Sequence, residues 1–248
     1  MNESAYRGRV AVITGASRGL GAGIAERLLE QGLSVGLCAR GACPLAGRPG
    51  VHAAQLDVRD EAAVQNFAEQ VAEQLGPVDL WVNNAGVLEP VAFARDLSSA
   101  ALMEHLAINV GGVLSGSKAF VRHLRDAERS GVLVNISSGA ALKGYAAWTA
   151  YCAGKAAVDR LTECVQLEEA EHGLRAYSVA PGVIDTAMQS TIRSLDASQF
   201  PAIEKFRDLK RREAYNTPKF VADKLLSIAF DPASRPESVV VRLPNEYD

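Results

Sequence analysis

Aromatic residues, cysteines and long hydrophobic runs are scarce in this chain of 248 residues. Aromatic residues make up 6% of it, the net charge is −3 and no basic block occurs, so the features of a nucleic-acid-binding protein are missing. No apolar run approaches the roughly 18 residues that cross a bilayer, and the N-terminus does not have the pattern of a signal peptide. We therefore expect a cytoplasmic protein that binds neither nucleic acid nor a membrane.

The four cysteines, Cys38, Cys43, Cys152 and Cys164, form no CxxC or CxxH pair. Metal sites and disulfide frameworks have short characteristic spacings, so we expect free thiols in a reducing compartment and no bound metal. Hydrophobic residues, in contrast, make up 48% of the chain, which is enough for one sizeable core.

Strand-like and helix-like segments alternate along the chain. The apolar, strand-like runs are "RVAVITG", "LSVGLCAR", "VHAAQLDV", "VDLWVNNAG", "SGVLVNISS", "LRAYSVAPG" and "ESVVVRLP". Helical spacing occurs over residues 21–32, 61–75, 99–125, 148–172 and 217–230. Continuous apolar strands between helices are typical of a parallel sheet that is covered on both faces. We predict a single α/β domain over residues 1–248, with a doubly wound, mostly parallel seven-stranded sheet of the Rossmann type.

Residues 188–216 interrupt this alternation. The segment is polar, mixed in charge and rich in helix formers from Ile203 onward. Two interpretations remain open. It is either a solvated surface insertion or a lid over a site, because long excursions from a compact domain are often functional.

The turn between the first strand and the first helix reads "TGASRGLG". Its glycines, Gly15, Gly19 and Gly21, allow backbone N–H groups to approach a pyrophosphate at the positive end of the helix. NAD-binding proteins carry an acidic residue at the end of the second strand, but here that position is Arg40, and Arg18 lies in the glycine loop. Two guanidinium groups near one ribose suit a 2′-phosphate, so the sequence favours NADP(H) over NAD(H).

Two stretches place a tyrosine four residues before a lysine: "YCAGK" at Tyr151–Lys155 and "YNTPK" at Tyr215–Lys219. The first pair lies within a predicted helix, where residues four apart share a face. In the second pair, Pro218 disfavours helical geometry at the residue before it. Thirteen residues before the first tyrosine is Ser138, at the end of a predicted strand, whereas the second tyrosine has no hydroxyl at that spacing. Context therefore favours "YCAGK" as the functional pair.

The "YCAGK" pair and Ser138 suit the reduction of a carbonyl. The serine hydroxyl can hydrogen-bond a carbonyl oxygen, and Tyr151 can protonate that oxygen as hydride reaches the carbon. An unperturbed tyrosine has a pKa of about 10, which is poorly matched to neutral pH. Because a nearby cation favours the phenolate, we expect Lys155 to lower the pKa of Tyr151.

Several motifs occur in the order and rough spacing of one protein family: "TGASRGLG", "LDVRD", "NNAG", "INVGG", "NISSGAALKGYAAWTAYCAGK" and "APGVIDT". On these motifs the chain resembles the short-chain dehydrogenases/reductases. The resemblance implies a catalytic tetrad of Asn109, Ser138, Tyr151 and Lys155, in which Asn109 holds a helix kink and a proton-relay water. It implies NADP(H) contacts at Gly15, Ser17, Arg18, Gly19, Leu20, Gly21, Arg40, Asp57, Val58, Asn83, Ala85, Gly86, Tyr151, Lys155, Pro181, Gly182, Ile184 and Thr186.

Within this family, "YCAGKAAVDRLTECVQLEEA" and "APGVIDTAMQ" are similar to sepiapterin reductases. Those enzymes hold the guanidine-like edge of a pterin with an acidic residue near the C-terminus. The matching position here is Arg242 in one register and Glu246 in another, and Asp248 is a further acidic residue of the tail. Residues that either line an apolar pocket or belong to the core are Leu142, Tyr145, Trp148 and Met188.

We predict an NADPH-dependent oxidoreductase that reversibly reduces a ketone or diketone, with a small-molecule carbonyl compound as its substrate. A pterin is an alternative substrate. A non-catalytic NADP(H)-binding regulator is an alternative function, although the complete tetrad argues against it. The resemblance also implies a homodimer or homotetramer.

Overall fold

The computed structural model describes residues 6–246. Within that range, seven strands form one parallel sheet in the order β3-β2-β1-β4-β5-β6-β7. The strands are β1 (Val10–Thr14), β2 (Ser34–Ala39), β3 (Val51–Gln55), β4 (Leu80–Asn83), β5 (Gly131–Ile136), β6 (Leu174–Ala180) and β7 (Val240–Arg242). The predicted single-domain α/β fold is confirmed, and the described pairings are all parallel rather than mostly so.

The helices between these strands cover both faces of the sheet. They are α1 (Gly19–Glu30), α2 (Glu61–Leu75), α3 (Ser99–Leu106), α4 (Gly112–Asp126), α5 (Thr149–Glu169), α6 (Ala187–Ser194), α7 (Ile203–Arg211) and α8 (Pro218–Phe230). One core contains Ile24 and Leu28 of α1 together with Leu225 of α8. The core on the opposite face contains Phe67 of α2 and Phe120 of α4. No helix of residues 6–246 is long and apolar enough to span a membrane.

The chain reverses direction across the sheet between β1 and β4. It winds outward from β1 to β3 and then returns to place β4 on the other side of β1. A crevice forms at such a switch point, outside the carboxyl ends of the two strands, and ligands of doubly wound folds bind there. The topology therefore predicts a ligand site among the residues that follow β1 and β4.

The long helix predicted over residues 99–125 is divided by a π-helical stretch, Ala107–Gly111. Asn109 lies at its centre and is buried. Its side chain accepts from the Val87 N–H and donates to the Val87 carbonyl, each at 2.8 Å. These bonds tie the stretch to the segment after β4, and single π turns of this kind are frequent at functional sites.

Residues 188–216 contain most of α6 and all of α7. Phe200, Ile203 and Phe206 of this segment are buried in a third hydrophobic cluster, which also contains Trp148. The indole of Trp148 stacks on Phe200 with ring centroids 4.5 Å apart. A wholly solvated insertion would not bury these rings, so this packing favours the lid interpretation, which stays a prediction.

Candidate active site

One pocket of about 1190 Å³ lies along the carboxyl edge of the sheet. The segments after all seven strands of the described sheet contribute to its wall, together with parts of α6 and α7. Predicted cofactor residues on this wall are Gly15, Ser17, Arg18, Gly19, Leu20, Gly21, Arg40, Asp57, Val58, Ala85, Gly86, Tyr151, Lys155, Pro181, Gly182, Ile184 and Thr186.

The glycine loop packs so closely against its neighbours that a side chain at Gly15 or Gly21 would clash with them. A Cβ at Gly15 would lie 2.7 Å from the Ala85 Cα, and a Cβ at Gly21 would lie 2.4 Å from the Asn84 Nδ2. The N-cap of α1 is Arg18, whose side chain cannot accept a hydrogen bond, and no side chain in the described part of the chain caps the first turn. Free N–H groups at the positive end of a helix fit the pyrophosphate of a dinucleotide.

Two arginines border the part of the pocket that lies beyond β2. Arg40 directly follows β2, and a Cβ at the next residue, Gly41, would lie 3.9 Å from the Cβ of Ser17. The two turns that carry Arg40 and Arg18 therefore approach each other. Both side chains are exposed, and neither forms an ion pair within residues 6–246. This positively charged edge suits a phosphate group.

Asp57 lies on the same stretch of wall and is paired with Arg59, whose Nη2 is 2.6 Å from the Asp57 Oδ2. The Arg59 guanidinium is the main reason why the pKa of Asp57 lies below its usual range. This carboxylate is therefore ionised at neutral pH and largely neutralised by its partner. The charge that the pocket presents beside Asp57 thus comes mainly from the two free arginines.

The two asparagines of "NNAG" point in different directions. The Asn84 side chain donates to the Thr14 carbonyl at 2.9 Å and lines the pocket. The Asn83 side chain is buried, donates to the Asn135 Oδ1 at 2.9 Å and is absent from the pocket wall. Successive residues of a strand face opposite sides, so the geometry does not match a cofactor contact by the Asn83 side chain. Asn83 instead joins β4 to β5.

Ser138 and Tyr151 meet at the pocket wall, although they belong to different elements. Ser138 follows β5, and Tyr151 lies in the first turn of α5. Burial raises the pKa of Tyr151, and the neighbouring Ser138 hydroxyl opposes this change to a smaller extent. This direction is opposite to the one that the sequence predicted. The phenol is therefore protonated at neutral pH and is able to donate a proton.

Lys155 is buried one helical turn after Tyr151, with an exposed fraction of 6%. Its Nζ donates to the Ile136 carbonyl at 2.7 Å and lies 5.8 Å from the centroid of the Tyr151 ring. The ammonium thus points at a carbonyl rather than at the phenol, which explains why it does not reverse the effect of burial on Tyr151. Burial lowers the pKa of Lys155 to about 8, and Asp159 opposes that change.

Asn109 does not line the pocket but lies behind it, in contact with a histidine that sequence reasoning missed. The His105 Nδ1 is 2.7 Å from the Glu89 carbonyl, and its Nε2 is 2.8 Å from the Asn109 Nδ2. A carbonyl and an amide donor at the two nitrogens assign the proton to Nδ1. Burial lowers the pKa of His105, which favours this neutral form. The available signal was the spacing of four residues in "HLAIN".

The second tyrosine–lysine pair is not assembled into a site. The Tyr215 hydroxyl accepts from the Arg193 Nη1 at 3.0 Å. Thr217 is the N-cap of α8, and its hydroxyl accepts from the Phe220 N–H at 3.1 Å. A helix boundary therefore separates Tyr215 from Lys219, as the proline in this stretch suggested.

The far end of the pocket is apolar and aromatic. Tyr145, Trp148 and Phe206 line it, with ring centroids 5.2 Å apart for Tyr145–Trp148 and 5.3 Å apart for Trp148–Phe206. Met188 lies on the same wall, whereas Leu142 is 63% exposed and is not part of the wall. Three of the four residues proposed for an apolar pocket therefore border it.

The C-terminal segment contributes a cation to this end of the pocket. Arg242 lies on the wall, at the end of β7. Glu246 does not, because its carboxylate accepts from the Thr217 N–H at 2.6 Å and from the Thr217 hydroxyl at 3.1 Å. Asp248 falls outside the described residues.

Comparison with known proteins identifies one family and several related dehydrogenases and reductases. Residues 9–197 match the family model "short chain dehydrogenase". The chain is 34% identical to a benzil reductase ((S)-benzoin forming) of Bacillus subtilis (strain 168), over 88% of this chain and 91% of the relative. It is 34% identical to a cis-4-hydroxycyclohexanecarboxylate dehydrogenase of Sinomonas cyclohexanicum, over 98% of both chains.

A solved structure supports the same assignment. The crystal structure of the KRED1-Pglu enzyme superimposes with a TM-score of 0.85 and 31% identity, covering 95% of this chain and all of the other. The family model covers more than half of the chain, and the relatives match along nearly their whole length. The chain therefore belongs to the short-chain dehydrogenase family, whose members are nicotinamide-dependent oxidoreductases.

Proposed function

We propose that this protein is an NADPH-dependent carbonyl reductase with Tyr151 as its proton donor. The observation that carries the proposal is the meeting of Ser138, Tyr151 and Lys155 on the wall that they share with the glycine loop. A nucleotide held at the loop and a carbonyl held at the hydroxyls would share one pocket. The chemistry then follows from the protonation states of these three residues.

When bound, the reduced nicotinamide supplies the hydride. The Ser138 hydroxyl donates to the carbonyl oxygen of the substrate and fixes its position. Tyr151, whose raised pKa keeps it protonated, transfers its proton to that oxygen, and the product is an alcohol. The phenolate left on Tyr151 is stabilised by the Lys155 cation, 5.8 Å from the ring centroid. In the reverse direction the same phenolate accepts the proton of the alcohol.

The NADPH preference is supported by Arg18 and Arg40. Their two turns approach each other, and both guanidinium groups lack an ion-pair partner within residues 6–246. β2 ends at Ala39 without an acidic residue that would bind the ribose hydroxyls of NADH. Arginine forks match phosphate oxygens in geometry and charge, so the 2′-phosphate of NADPH is the better partner.

A ketone or diketone suits the apolar end of the pocket better than a pterin. The benzil reductase relative acts, by its name, on an aromatic diketone, and Tyr145, Trp148 and Phe206 provide an aromatic wall. A pterin needs an acidic partner for its guanidine-like edge. Arg242 is of the wrong charge for that edge, and the Glu246 carboxylate is bound to Thr217.

The direct experiment is NADPH consumption with benzil as the substrate, followed by the loss of NADPH absorbance. Tyr151→Phe should reduce turnover by about 10²-fold or more, the range of general acid catalysis, and should keep NADPH binding by fluorescence titration. Tyr215→Phe is the matched control, because it removes the phenol of the other tyrosine–lysine pair. Comparable rates for Tyr151→Phe and the wild type would refute the proposal. Tight NADPH binding without turnover by the wild type would favour a regulator.

We also propose that the protein is a homodimer or homotetramer and that residues 188–216 form a lid. Met103, Leu114 and Leu167 are exposed on α3, α4 and α5, and apolar side chains in such positions are suited to contact a second copy. Ile192 and Phe206 of the 188–216 segment line the pocket. Light scattering of the purified protein measures the stoichiometry, and amide hydrogen exchange with and without NADP⁺ tests closure of the segment.

A further inference from the structure

A free cation lies beside the predicted carbonyl-binding serine. Arg242 ends β7, where it is in register with Ala180 of β6. Its side chain extends across to the segment after β5, because a Cβ built at Gly139 would lie only 2.6 Å from the Arg242 Nη2. Gly139 directly follows Ser138, so the guanidinium lies next to the chain segment that carries this hydroxyl.

No protein group neutralises Arg242 within residues 6–246. It forms neither an ion pair nor a side-chain hydrogen bond there. The acidic residue nearest to Arg242 along the described chain is Glu246. Its two carboxylate oxygens accept hydrogen bonds from Thr217 and not from Arg242. A second cation at this end of the pocket, Lys205, donates to the Tyr145 hydroxyl at 2.9 Å. The guanidinium of Arg242 thus keeps its hydrogen-bond donors available to a ligand in the pocket.

The rest of the pocket wall at this end is apolar and suits an apolar part of a ligand. Tyr145, Trp148 and Phe206 present aromatic rings, and Met188 and Ile192 add aliphatic surface. A ligand that fills this end would therefore pack an apolar group, such as a ring, against the aromatic wall. Its carbonyl would lie at the hydroxyls and a further group would face the arginine.

We propose that the substrate is an oxo acid: an apolar, preferably aromatic, body with a ketone at Ser138 and Tyr151 and a carboxylate that pairs with Arg242. The proposal rests on the proposed carbonyl reductase activity. Arginine binds carboxylates through two parallel N–H···O bonds, which adds orientation to affinity. Because the Arg242 guanidinium approaches Gly139, the residue after Ser138, we place the carboxylate and the ketone on neighbouring parts of the substrate.

The test compares acids with neutral analogues of similar shape. Phenylglyoxylate is paired with 1-phenyl-1,2-propanedione, and 3-benzoylpropanoate is paired with its methyl ester. In the wild type, kcat/KM should be at least about 10-fold higher for one of the acids than for its neutral partner, the range expected of a charge-assisted hydrogen bond. Arg242→Gln should reduce this preference about 10- to 100-fold, mainly through KM, and Arg242→Lys should retain part of it.

Lys224→Gln is the matched control for net charge. Lys224 is exposed on α8 and is absent from the pocket wall, so this variant should keep the wild-type preference. Raised ionic strength should weaken the preference for the acid in the wild type and have little effect in Arg242→Gln. The proposal would be overturned if the wild type had the same kcat/KM for the acids and their neutral analogues. It would also be overturned if Lys224→Gln and Arg242→Gln lost the preference for the acid to the same extent.

Failure of the carboxylate proposal can be distinguished from failure of the reductase assignment. Reduction of the neutral dione without an acid preference would remove the carboxylate site and leave the reductase intact. If neither class of compound were turned over, calorimetric titration of phenylglyoxylate into the NADP⁺-loaded protein would still decide. Binding that is lost in Arg242→Gln and kept in Lys224→Gln supports the anion site, and equal binding in all three proteins refutes it.

Discussion

Replacing Lys155 with methionine should make the cofactor-free protein more stable while abolishing its activity. The ammonium is buried, and burial lowers the pKa of Lys155 from 10.5 to about 8. A folded-state pKa below the unfolded value means that the protonated lysine destabilises the fold. A shift of about 2.5 units corresponds to about 3 kcal/mol at neutral pH, at about 1.36 kcal/mol per unit.

Methionine has similar length and no charge, so the substitution removes this penalty. It also removes the hydrogen bond to the Ile136 carbonyl, and an unpaired buried carbonyl costs about 1–3 kcal/mol. We expect a net gain of up to about 2 kcal/mol near neutral pH, which raises Tm by up to about 8 °C for a chain of this length. Turnover should fall because the phenolate of Tyr151 loses its cation.

The decisive measurement is the pH dependence of the stability difference. The penalty on the wild type is complete below the folded pKa and is relieved as pH rises toward the unfolded pKa. Urea unfolding of both proteins should therefore show the advantage of Lys155→Met shrinking by about 2 kcal/mol between about pH 7 and about pH 9.5.

Lys224→Met provides the control, because it removes an exposed lysine and should show no such pH trend. Use of the difference between two proteins cancels the titration of the groups that they share. An advantage of Lys155→Met that stays constant or grows across this range would refute the burial of a charged lysine as its cause.

The remaining predictions concern the rest of the site. His105→Leu removes one of the two acceptors of the Asn109 amide and should lower kcat about 2–10-fold; His105→Gln should recover part of it, and unchanged steady-state kinetics in His105→Leu would exclude a positioning role. Because burial raises the pKa of Tyr151, alcohol oxidation should accelerate with pH in the alkaline range while ketone reduction does not, and parallel pH–rate profiles would contradict this. Arg40→Asp should lower the NADPH/NADH ratio of kcat/KM at least about 10-fold; an unchanged ratio would remove Arg40 from the phosphate site.

Most of the sheet was predictable because its inner strands are largely buried and therefore mainly apolar. The prediction was less accurate where tertiary contacts determine the length or the type of an element. β7 contains only Val240–Arg242, because it is an edge strand that pairs with Ser178–Ala180 alone. The π-helical stretch at residues 107–111 depends on bonds between Asn109 and Val87, which are 22 residues apart. Local spacing carries no signal for such a contact.

The site was predictable as far as chain geometry determines it. A strand end and a helix start place Ser138 near the "YCAGK" pair, and both elements were visible in the sequence. The two asparagines of "NNAG" could not be distinguished in this way, because either could face the pocket until the register of β4 was known. The direction of the pKa change at Tyr151 was wrong in the sequence prediction, since its burial depends on residues far along the chain such as His105, whose ring centroid lies 6.2 Å from that of Tyr151.

Burial acts on Tyr151 and Lys155 in opposite directions for one reason, which is that it disfavours the charged form of each. In the resting site the phenol is neutral and the ammonium is charged, and no carboxylate of residues 6–246 forms an ion pair with it, so the lysine charge destabilises the protein. When the phenol donates its proton, a phenolate forms near that ammonium, and the two charges then stabilise each other at buried positions. The interaction is therefore stronger after proton transfer than before it, and this difference is what accelerates a reaction. The instability that Lys155→Met should relieve and the activity that it should abolish have the same physical origin.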